Sequence, residues 1–190
     1  MEVVLVRHGE TEWSAAGRHT GRTDVPLDET GRREARALAE SLAGRDFALV
    51  LTSPLSRAVE TCRLAGLGDR AQVRDDLAEW DYGEYEGRTT PEIRAGRPGW
   101  SLWADGVVGG ETIADVGARV DRVIAEAARA GGDVALFAHG HVLRVLAARW
   151  LGLEPDAGKL LALDPASVSV LGWEREWRVI RSWNETRRQA

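Results

Sequence analysis

Short apolar runs alternate along the chain with stretches in which apolar residues recur every three or four positions. Each run is bounded by polar residues or glycine, which is typical of strands buried on both faces of a sheet. The three predicted buried strands are Val3–Val6, Ala48–Leu51 and Asp133–Ala138. Near the end of the chain, Ser167–Leu171 and Trp177–Ile180 are expected to form two more strands, joined by a tight turn at 174–176.

The periodic stretches predict helices between these strands. One apolar stripe leads to a helix ending at Gly44, and a second is stopped by Gly131. Two more helices are expected, one after Pro54 through Leu64 and one over Val142–Trp150. The two stripes consist of Ala35, Leu38, Ala39 and Leu42, and of Ile113, Val116, Val120, Ile124 and Ala127. Strands that alternate with helices favour an α/β fold around a largely parallel sheet.

The stretch 88–110 breaks this alternation with prolines, glycines and the exposed-looking pair Trp100 and Trp103. A short helix is expected to start at Pro91, capped by one of the two threonines before it. Two interpretations stay open: a packed excursion whose tryptophans fill the core, or a cover over a site. Without repeats or linkers elsewhere, a single domain over 1–190 is expected.

Composition narrows the classes of protein to consider. A chain of 190 residues can bury roughly 70% of the surface that its unfolded form exposes, so it needs no disulfide or metal cross-links for stability. The net charge of −5 argues against a general nucleic-acid binder. Cys62 is the only cysteine, which fits a reducing compartment, and no apolar run approaches the roughly 18 residues of a membrane span. With no signal peptide before the first strand, we expect a cytoplasmic protein with no membrane partner.

Titratable residues follow the three buried strands. The first strand runs into Arg7 and His8, the second reaches Ser53 with Arg57 in the next helical turn, and the third ends at His139. Ligands of open α/β sheets sit beyond the carboxyl ends of the strands, where helix N-termini also point. Two guanidinium groups and an imidazole there would suit a phosphoryl group. A lone strand-end histidine is more often structural, so the combined pattern carries this prediction.

These residues belong to a longer pattern that resembles the histidine phosphatase superfamily, also called phosphoglycerate mutase-like. The resemblance covers nearly the whole chain. Its segments are Leu5–Thr11 with Trp13, Thr20–Leu27 with Gly31, Thr52–Ala58, Glu79–Gly87, Gly109–Thr112 and Ala138–Gly140. It implies a three-layer α/β/α sandwich around a mostly parallel sheet, with a small phosphorylated molecule as the partner.

The resemblance also implies catalytic roles. His8 would be the nucleophile that forms a transient phosphohistidine. Arg7, Arg57 and His139 would bind the phosphoryl oxygens and stabilise the charge of the transition state. Glu79 would protonate the leaving oxygen and then activate water. This chemistry requires no metal and no cofactor. Without the family pattern, four other acids would rival Glu79: Asp76, Asp81, Glu84 and Glu86.

Further substrate contacts are implied less directly. Backbone N–H groups near Thr20, Gly21 and Gly140 resemble the family's other phosphate contacts, and Tyr82 stands where relatives contact substrate. Ser14 replaces the asparagine of many relatives, and a hydroxyl cannot reproduce an amide.

Two further histidines have no assigned role. His141 forms a His-x-His pair with His139 that could suggest a metal, but no third ligand cluster accompanies it. A substrate-side role and a structural role for His141 stay open. The role of His19 is undetermined.

Three functions are compared. Mutases of this family carry longer insertions between the acid and the second histidine, and a closing C-terminal tail. Here 60 positions separate Glu79 from His139, and the tail from Asn184 is short. These features favour a phosphatase acting on sugar phosphates or bisphosphates. A phosphoglycerate mutase is the alternative, and a non-catalytic phospho-ligand-binding module is the alternative of a different class. The resemblance also suggests a homodimer.

Overall fold

Six strands form one mixed sheet in the computed structural model, which describes residues 1–186. The strands are β1 (Val3–Arg7), β2 (Phe47–Thr52), β3 (Ala71–Val73), β4 (Asp133–Ala138), β5 (Val168–Glu174) and β6 (Trp177–Glu185). Their order across the sheet is β3-β2-β4-β1-β5-β6. The first four are parallel to one another, whereas β5 pairs antiparallel with β1, and β6 pairs antiparallel with β5 at the sheet edge. The predicted mostly parallel sheet is confirmed, and β3 is a strand that the sequence pattern did not predict.

Helices connect the strands. They are α1 (Glu12–Ala15), α2 (Glu29–Ser41), α3 (Ser56–Leu64), α4 (Thr90–Gly96), α5 (Leu102–Asp105), α6 (Ile113–Ala128) and α7 (Gly140–Trp150). Short 3-10 helices occur at Gly68–Arg70, Asp75–Leu77, Gly83–Tyr85 and Pro155–Leu160. Within residues 1–186, no helix is both long enough and apolar enough to cross a membrane.

The sheet separates two apolar layers, because side chains alternate between its faces. Val3 and Leu5 pack in the cluster that contains the apolar stripes of α6 and α7. Val4 and Val6 pack with Leu38 and other residues of α2 and α3 on the opposite face. Helices therefore cover both faces, as expected for a three-layer α/β/α sandwich.

The β5–β6 hairpin is longer than predicted. Its two-residue turn places Arg175 at φ 56°, a left-handed conformation, and β6 continues to Glu185 at the sheet edge. The short tail expected from Asn184 therefore begins inside this strand, and its last four positions, 187–190, lie outside the described residues.

The stretch 88–110 is a packed excursion. Trp100 is only 2% exposed and its Nε1–H donates to the Gly106 carbonyl, so its exposed appearance in the sequence was misleading. Trp103 is half-buried, with its ring centroid 5.9 Å from that of Trp80. Helix α4 starts one residue before the predicted Pro91, and Thr90 lines the cavity described below, so the segment also borders that cavity.

Candidate active site

A cavity of about 260 Å³ opens beyond the carboxyl ends of β1 and β4. The side chains and backbone around it include seven of the predicted site residues, which are Arg7, His8, Ser14, Thr20, Glu79, Tyr82 and Gly140. Arg57, His139 and Gly21 are buried behind the residues that line the cavity. Two larger cavities, of about 420 and 560 Å³, contain none of the four histidines. The smaller cavity is therefore the candidate site.

One ring nitrogen of His8 forms a hydrogen bond with the backbone. His8 is 5% exposed, its backbone N–H donates to the Ala138 carbonyl of β4, and its Nδ1 lies 2.7 Å from the Gly9 carbonyl oxygen. A carbonyl can only accept, so Nδ1 carries the proton and Nε2 keeps its lone pair. Burial, with the charges of Arg7 and Arg57, lowers the pKa of His8 well below its ordinary value. The ring is therefore neutral and nucleophilic at Nε2 near pH 7.

Arg7 reaches the cavity from the end of β1. One guanidinium nitrogen donates to the Leu163 carbonyl, while its buried Nε–H has no partner within the described part of the chain. Gly140 lies beside this group, since a Cβ there would be in ordinary van der Waals contact with the Arg7 Cζ at 3.4 Å. A buried N–H without a hydrogen-bond partner lowers stability, so a bound anion that accepted from this Nε–H would be stabilised there.

Arg57 and His139 contact each other. The Arg57 Nε–H donates to His139 Nδ1 at 3.1 Å, so His139 carries its proton on Nε2 and donates it to Ser53 Oγ at 2.7 Å. Burial lowers the pKa of His139, and the ring centroids of His8 and His139 are 5.1 Å apart. The predicted convergence of the strand-end residues is present, but these two groups would contact a phosphoryl group only after exchanging present partners.

The loop at 20–23 is tied down by its backbone. Arg57 donates to the carbonyls of Thr20, Gly21 and Thr23. The Gly21 N–H donates to Glu86 Oε1 at 2.8 Å and is not free for a phosphate oxygen, which differs from the expectation for this residue.

Ser14 is likewise occupied. Its hydroxyl donates to the Thr11 carbonyl and accepts from the Thr11 N–H, which closes the capping box of α1. Serine in place of asparagine therefore has a local role at the helix terminus. A phosphate contact by this hydroxyl would compete with its bond to the Thr11 carbonyl.

Glu79 sits at the N-terminus of α7. Its carboxylate accepts backbone N–H groups from Trp80, His141 and Val142 at 2.9–3.0 Å, and it is 5% exposed. The partial positive charge of a helix N-terminus stabilises such a carboxylate. None of its four sequence rivals lines the cavity. Three of them are committed elsewhere, since Asp76 pairs with Arg122, Asp81 with Arg22, and Glu86 holds the 20–23 loop.

Tyr82 and the two unassigned histidines form one wall. Tyr82 Oη lies 2.7 Å from His141 Nδ1, and burial, with the charge of Glu79, raises the pKa of Tyr82 well above its ordinary value. His19 directs Nδ1 to the Arg88 carbonyl and stacks on His141 with centroids 6.3 Å apart. Among residues 1–186, no group of three or more His, Cys, Asp or Glu side chains could hold a metal ion.

Sequence reasoning missed Arg144, which lines the cavity beside His141. The signal was present, because residues three apart on a helix share a face. Arg144 lies three positions after His141 on α7. It also missed Arg18, an exposed lining residue whose guanidinium donates to the Gly87 carbonyl.

A buried ion pair positions the segment before Glu79. Arg119 of α6 is 7% exposed and donates twice to the Glu111 carboxylate. It also donates to the carbonyls of Asp76 and Ala78, the latter directly before Glu79. The Glu79 backbone is thereby linked to α6.

We expect Arg119→Met to lower the free energy of unfolding by about 3–5 kcal/mol, because it leaves the Glu111 carboxylate and two carbonyls without their partner. Urea denaturation measures this change. The matched control is Arg122→Gln, a substitution on the same helix as Arg119. It removes the ion pair of an exposed arginine with Asp76 and should change stability little. Equal effects of the two substitutions would contradict the anchoring role.

Stability should also depend on pH. Burial is the largest cause lowering the pKa values of His8, His139 and His141. Below about pH 6.5 the unfolded chain therefore binds protons that the folded protein excludes. The free energy of unfolding should fall as the pH drops through this range, with a slope approaching about 1.4 kcal/mol per pH unit for each histidine.

Urea denaturation between about pH 7.5 and 5.5 tests this dependence, because most carboxylates stay ionised there. His141→Gln should show a slope smaller by the contribution of one histidine. A free energy of unfolding that does not change over this range would contradict neutral burial of these rings.

Comparison with known proteins places these residues in a family. A model of the histidine phosphatase superfamily (branch 1) matches residues 3–186. The chain is 44% identical to an acid phosphatase of Mycobacterium tuberculosis over 177 residues, covering 90% of this chain and 86% of that protein. It is 38% identical to sedoheptulose 1,7-bisphosphatase of Saccharomyces cerevisiae over 182 residues, covering 79% of this chain and 67% of that protein.

Solved structures agree with this placement. The structure of an open reading frame from Mycobacterium tuberculosis superposes with a TM-score of 0.93 at 40% identity, covering 97% of both chains. Proteins named 2,3-bisphosphoglycerate-dependent phosphoglycerate mutase also match the chain.

Proposed function

Because the chain belongs to the histidine phosphatase superfamily, we propose that it hydrolyses small phosphomonoesters of the sugar-phosphate type through a phosphohistidine. It is a phosphoric monoester hydrolase. The observation that carries the proposal is the free Nε2 of neutral His8, beside the Arg7 guanidinium and in the same cavity as Glu79. Sugar phosphates are proposed as substrates because relatives are named for them.

The first half-reaction transfers the phosphoryl group to the enzyme. His8 Nε2 attacks phosphorus, a bond from nitrogen to phosphorus forms, and the bond to the ester oxygen breaks. Glu79 gives a proton to the departing oxygen, so the alcohol leaves neutral. Arg7, with Arg57 and His139 behind it, stabilises the negative charge on the transferring group.

The second half-reaction regenerates the enzyme. Glu79, now ionised, takes a proton from a water molecule, whose oxygen attacks the phosphohistidine. The nitrogen–phosphorus bond breaks, inorganic phosphate leaves, and His8 is neutral again. No step requires a metal ion, and metal independence, a cytoplasmic location and a homodimer are part of the proposal.

A phosphoglycerate mutase is the second candidate, favoured by the mutases among the relatives. A mutase would return the phosphoryl group to its substrate before water reacts. The non-catalytic module is less favoured, because His8 and Glu79 are both present in one cavity.

Phosphate release by the purified protein, with EDTA present and at about pH 5–8, tests the proposal. The panel contains sugar phosphates, sugar bisphosphates, phosphoglycerates and nitrophenyl phosphate. We expect release from at least one metabolite that EDTA does not inhibit. Isomerisation of phosphoglycerate that exceeds phosphate release would favour the mutase, and inactivity in both assays would favour the binding module.

A further inference from the structure

Arginines shielded from solvent generally have carboxylate partners in this protein. Eight arginines among residues 1–186 are buried or half-buried. Five of them pair with a carboxylate: Arg32 with Glu60, Arg45 with Glu2, Arg74 with Glu126, Arg119 with Glu111 and Arg149 with Asp121. The other three are Arg7, Arg57 and Arg144, and all three lie at or directly behind the active-site cavity. In the proposed function, Arg7 and Arg57 stabilise the transferring phosphoryl group, whereas no anionic partner has been assigned to Arg144.

The guanidinium of Arg144 is fixed in place. Its Nε–H donates to the Gly158 carbonyl at 3.0 Å and its Nη2 to the Lys159 carbonyl at 3.3 Å. Its Cζ lies 4.7 Å from the centroid of the Trp103 ring. Within the described residues, Nη1 has no hydrogen-bond partner. The group is therefore oriented before a ligand arrives and keeps donors for it.

Arg144 also lies close to the reacting groups. It lines the same cavity as Arg7 and His8. Burial lowers the pKa of Arg144, the charge of Glu79 opposes that shift, and the charge of Arg7 adds to it, so these three groups interact through space. A half-buried cation with no counter-ion is costly, and the planar guanidinium matches the oxygens of a phosphate or a carboxylate.

We propose that Arg144 binds a second anionic group of the substrate, a phosphate or a carboxylate, while Arg7 and His8 hold the phosphoryl group that is removed. This inference rests on the proposed function and narrows its substrates to phosphomonoesters with a second anionic group. The competing explanation is structural: through the Gly158 and Lys159 carbonyls, Arg144 anchors the 3-10 helix Pro155–Leu160 to α7. A structural role would affect all substrates alike.

Three ligands that share a phosphate on carbon 6 separate these explanations. Glucose 6-phosphate has no second anion, glucose 1,6-bisphosphate adds a phosphate, and 6-phosphogluconate adds a carboxylate. We compare kcat/KM for release of the 6-phosphate by the unsubstituted protein and by Arg144→Met, which keeps an apolar side chain against Trp103. The matched control is Arg149→Met on the same helix, whose partner Asp121 lies away from the cavity.

We expect the unsubstituted protein to prefer at least one of the two ligands that carry a second anionic group. Arg144→Met should lower kcat/KM for that ligand about 10- to 100-fold, as for a lost charge-assisted hydrogen bond, and change glucose 6-phosphate less than about threefold. Arg144→Lys should recover part of the preference. Which ligand loses more identifies the second group as phosphate or carboxylate. Equal losses on all three ligands, or no loss on any, would overturn the proposal.

Binding separates this inference from the proposed function. Calorimetry on His8→Ala measures affinity in a protein that cannot form phosphohistidine. Adding Arg144→Met should raise the Kd of the preferred ligand with a second anionic group about 10-fold or more, while the Kd of glucose 6-phosphate changes little. This result without any turnover by the unsubstituted protein would refute the phosphatase and keep the second-anion site. Turnover with equal Kd changes for all ligands would keep the phosphatase and refute Arg144.

Discussion

Replacement of His8 by alanine should abolish turnover and leave the fold intact. The substitution removes the Nε2 lone pair of His8, which lies in the same cavity as the Arg7 guanidinium that would bind the phosphoryl group. Loss of a covalent nucleophile typically lowers kcat by roughly 10⁴-fold or more. We therefore expect phosphate release by His8→Ala to be undetectable with every substrate that the unsubstituted protein cleaves.

Labelling of the protein gives an independent readout. A phosphoramidate is labile in acid and stable in alkali, so brief reaction with radiolabelled substrate should leave an alkali-stable, acid-labile label on the unsubstituted protein. The label should be absent from His8→Ala. It should be present on His141→Ala, because the imidazole removed there lies in the same cavity but has its Nδ1 against Tyr82. A label that persists in His8→Ala, or turnover above about 1%, would contradict the nucleophile assignment.

Circular dichroism and urea denaturation must show that His8→Ala is folded. The ring accounts for one side-chain hydrogen bond, to the Gly9 carbonyl, and its backbone N–H would still reach Ala138. The loss in stability should therefore be about 1–3 kcal/mol, which a folded domain tolerates.

The positions of His8 and His139 could be predicted because two independent rules agree on them. Continuous apolar runs indicate strands buried on both faces, and ligands of open α/β sheets bind at the carboxyl ends of such strands. Strands β1 and β4 are neighbours and parallel, so their ends meet. Strand β3 was missed because it has three residues, half-buried or exposed, and no apolar run.

Contacts that depend on three-dimensional packing could not be predicted. Spacing places Arg57 and His139 at one edge of the sheet, but does not show that Arg57 donates to His139. The sequence likewise does not reveal that Glu86 takes the Gly21 N–H, because those residues are joined only by the pairing of two loops. Trp100 has no periodic neighbours in its Gly- and Pro-rich segment, and its ring packs against Tyr85 and His19, which lie outside that segment.

Residue type carried more information about the site for histidine than for arginine. The chain has four histidines, of which three line the cavity and His139 lies directly behind it. By contrast, most arginines among residues 1–186 are exposed, and Arg7, Arg57 and Arg144 differ from them in being shielded from solvent without a carboxylate partner. Residue type was informative for histidine, whereas for arginine the informative property was burial without a carboxylate partner in the described structure.

Glu79→Gln should separate the two half-reactions. A sugar alcohol leaves slowly unless it is protonated, whereas nitrophenol leaves readily as its anion. Loss of a general acid typically costs about 10²–10⁴-fold. We therefore expect phosphoryl transfer from a sugar phosphate to slow by that factor, and transfer from nitrophenyl phosphate to slow much less.

The same glutamate would activate water in the second step, so steady-state rates alone would hide this difference. In rapid mixing, Glu79→Gln should release about one nitrophenol per active site in a burst and then turn over slowly, because the phosphohistidine accumulates. Glu84→Gln, an exposed residue of the same segment, is the matched control and should behave like the unsubstituted protein.

The substitution also has a structural cost that the measurement must account for. The Glu79 carboxylate accepts three backbone N–H groups at the start of α7, and an amide NH₂ cannot accept the one from His141. Stability should fall by about 1–3 kcal/mol. A general weakening of the site would slow both substrates alike and produce no burst. Equal losses on the two substrates would therefore exclude Glu79 as the acid, whereas a burst confined to nitrophenyl phosphate would assign it both proton transfers.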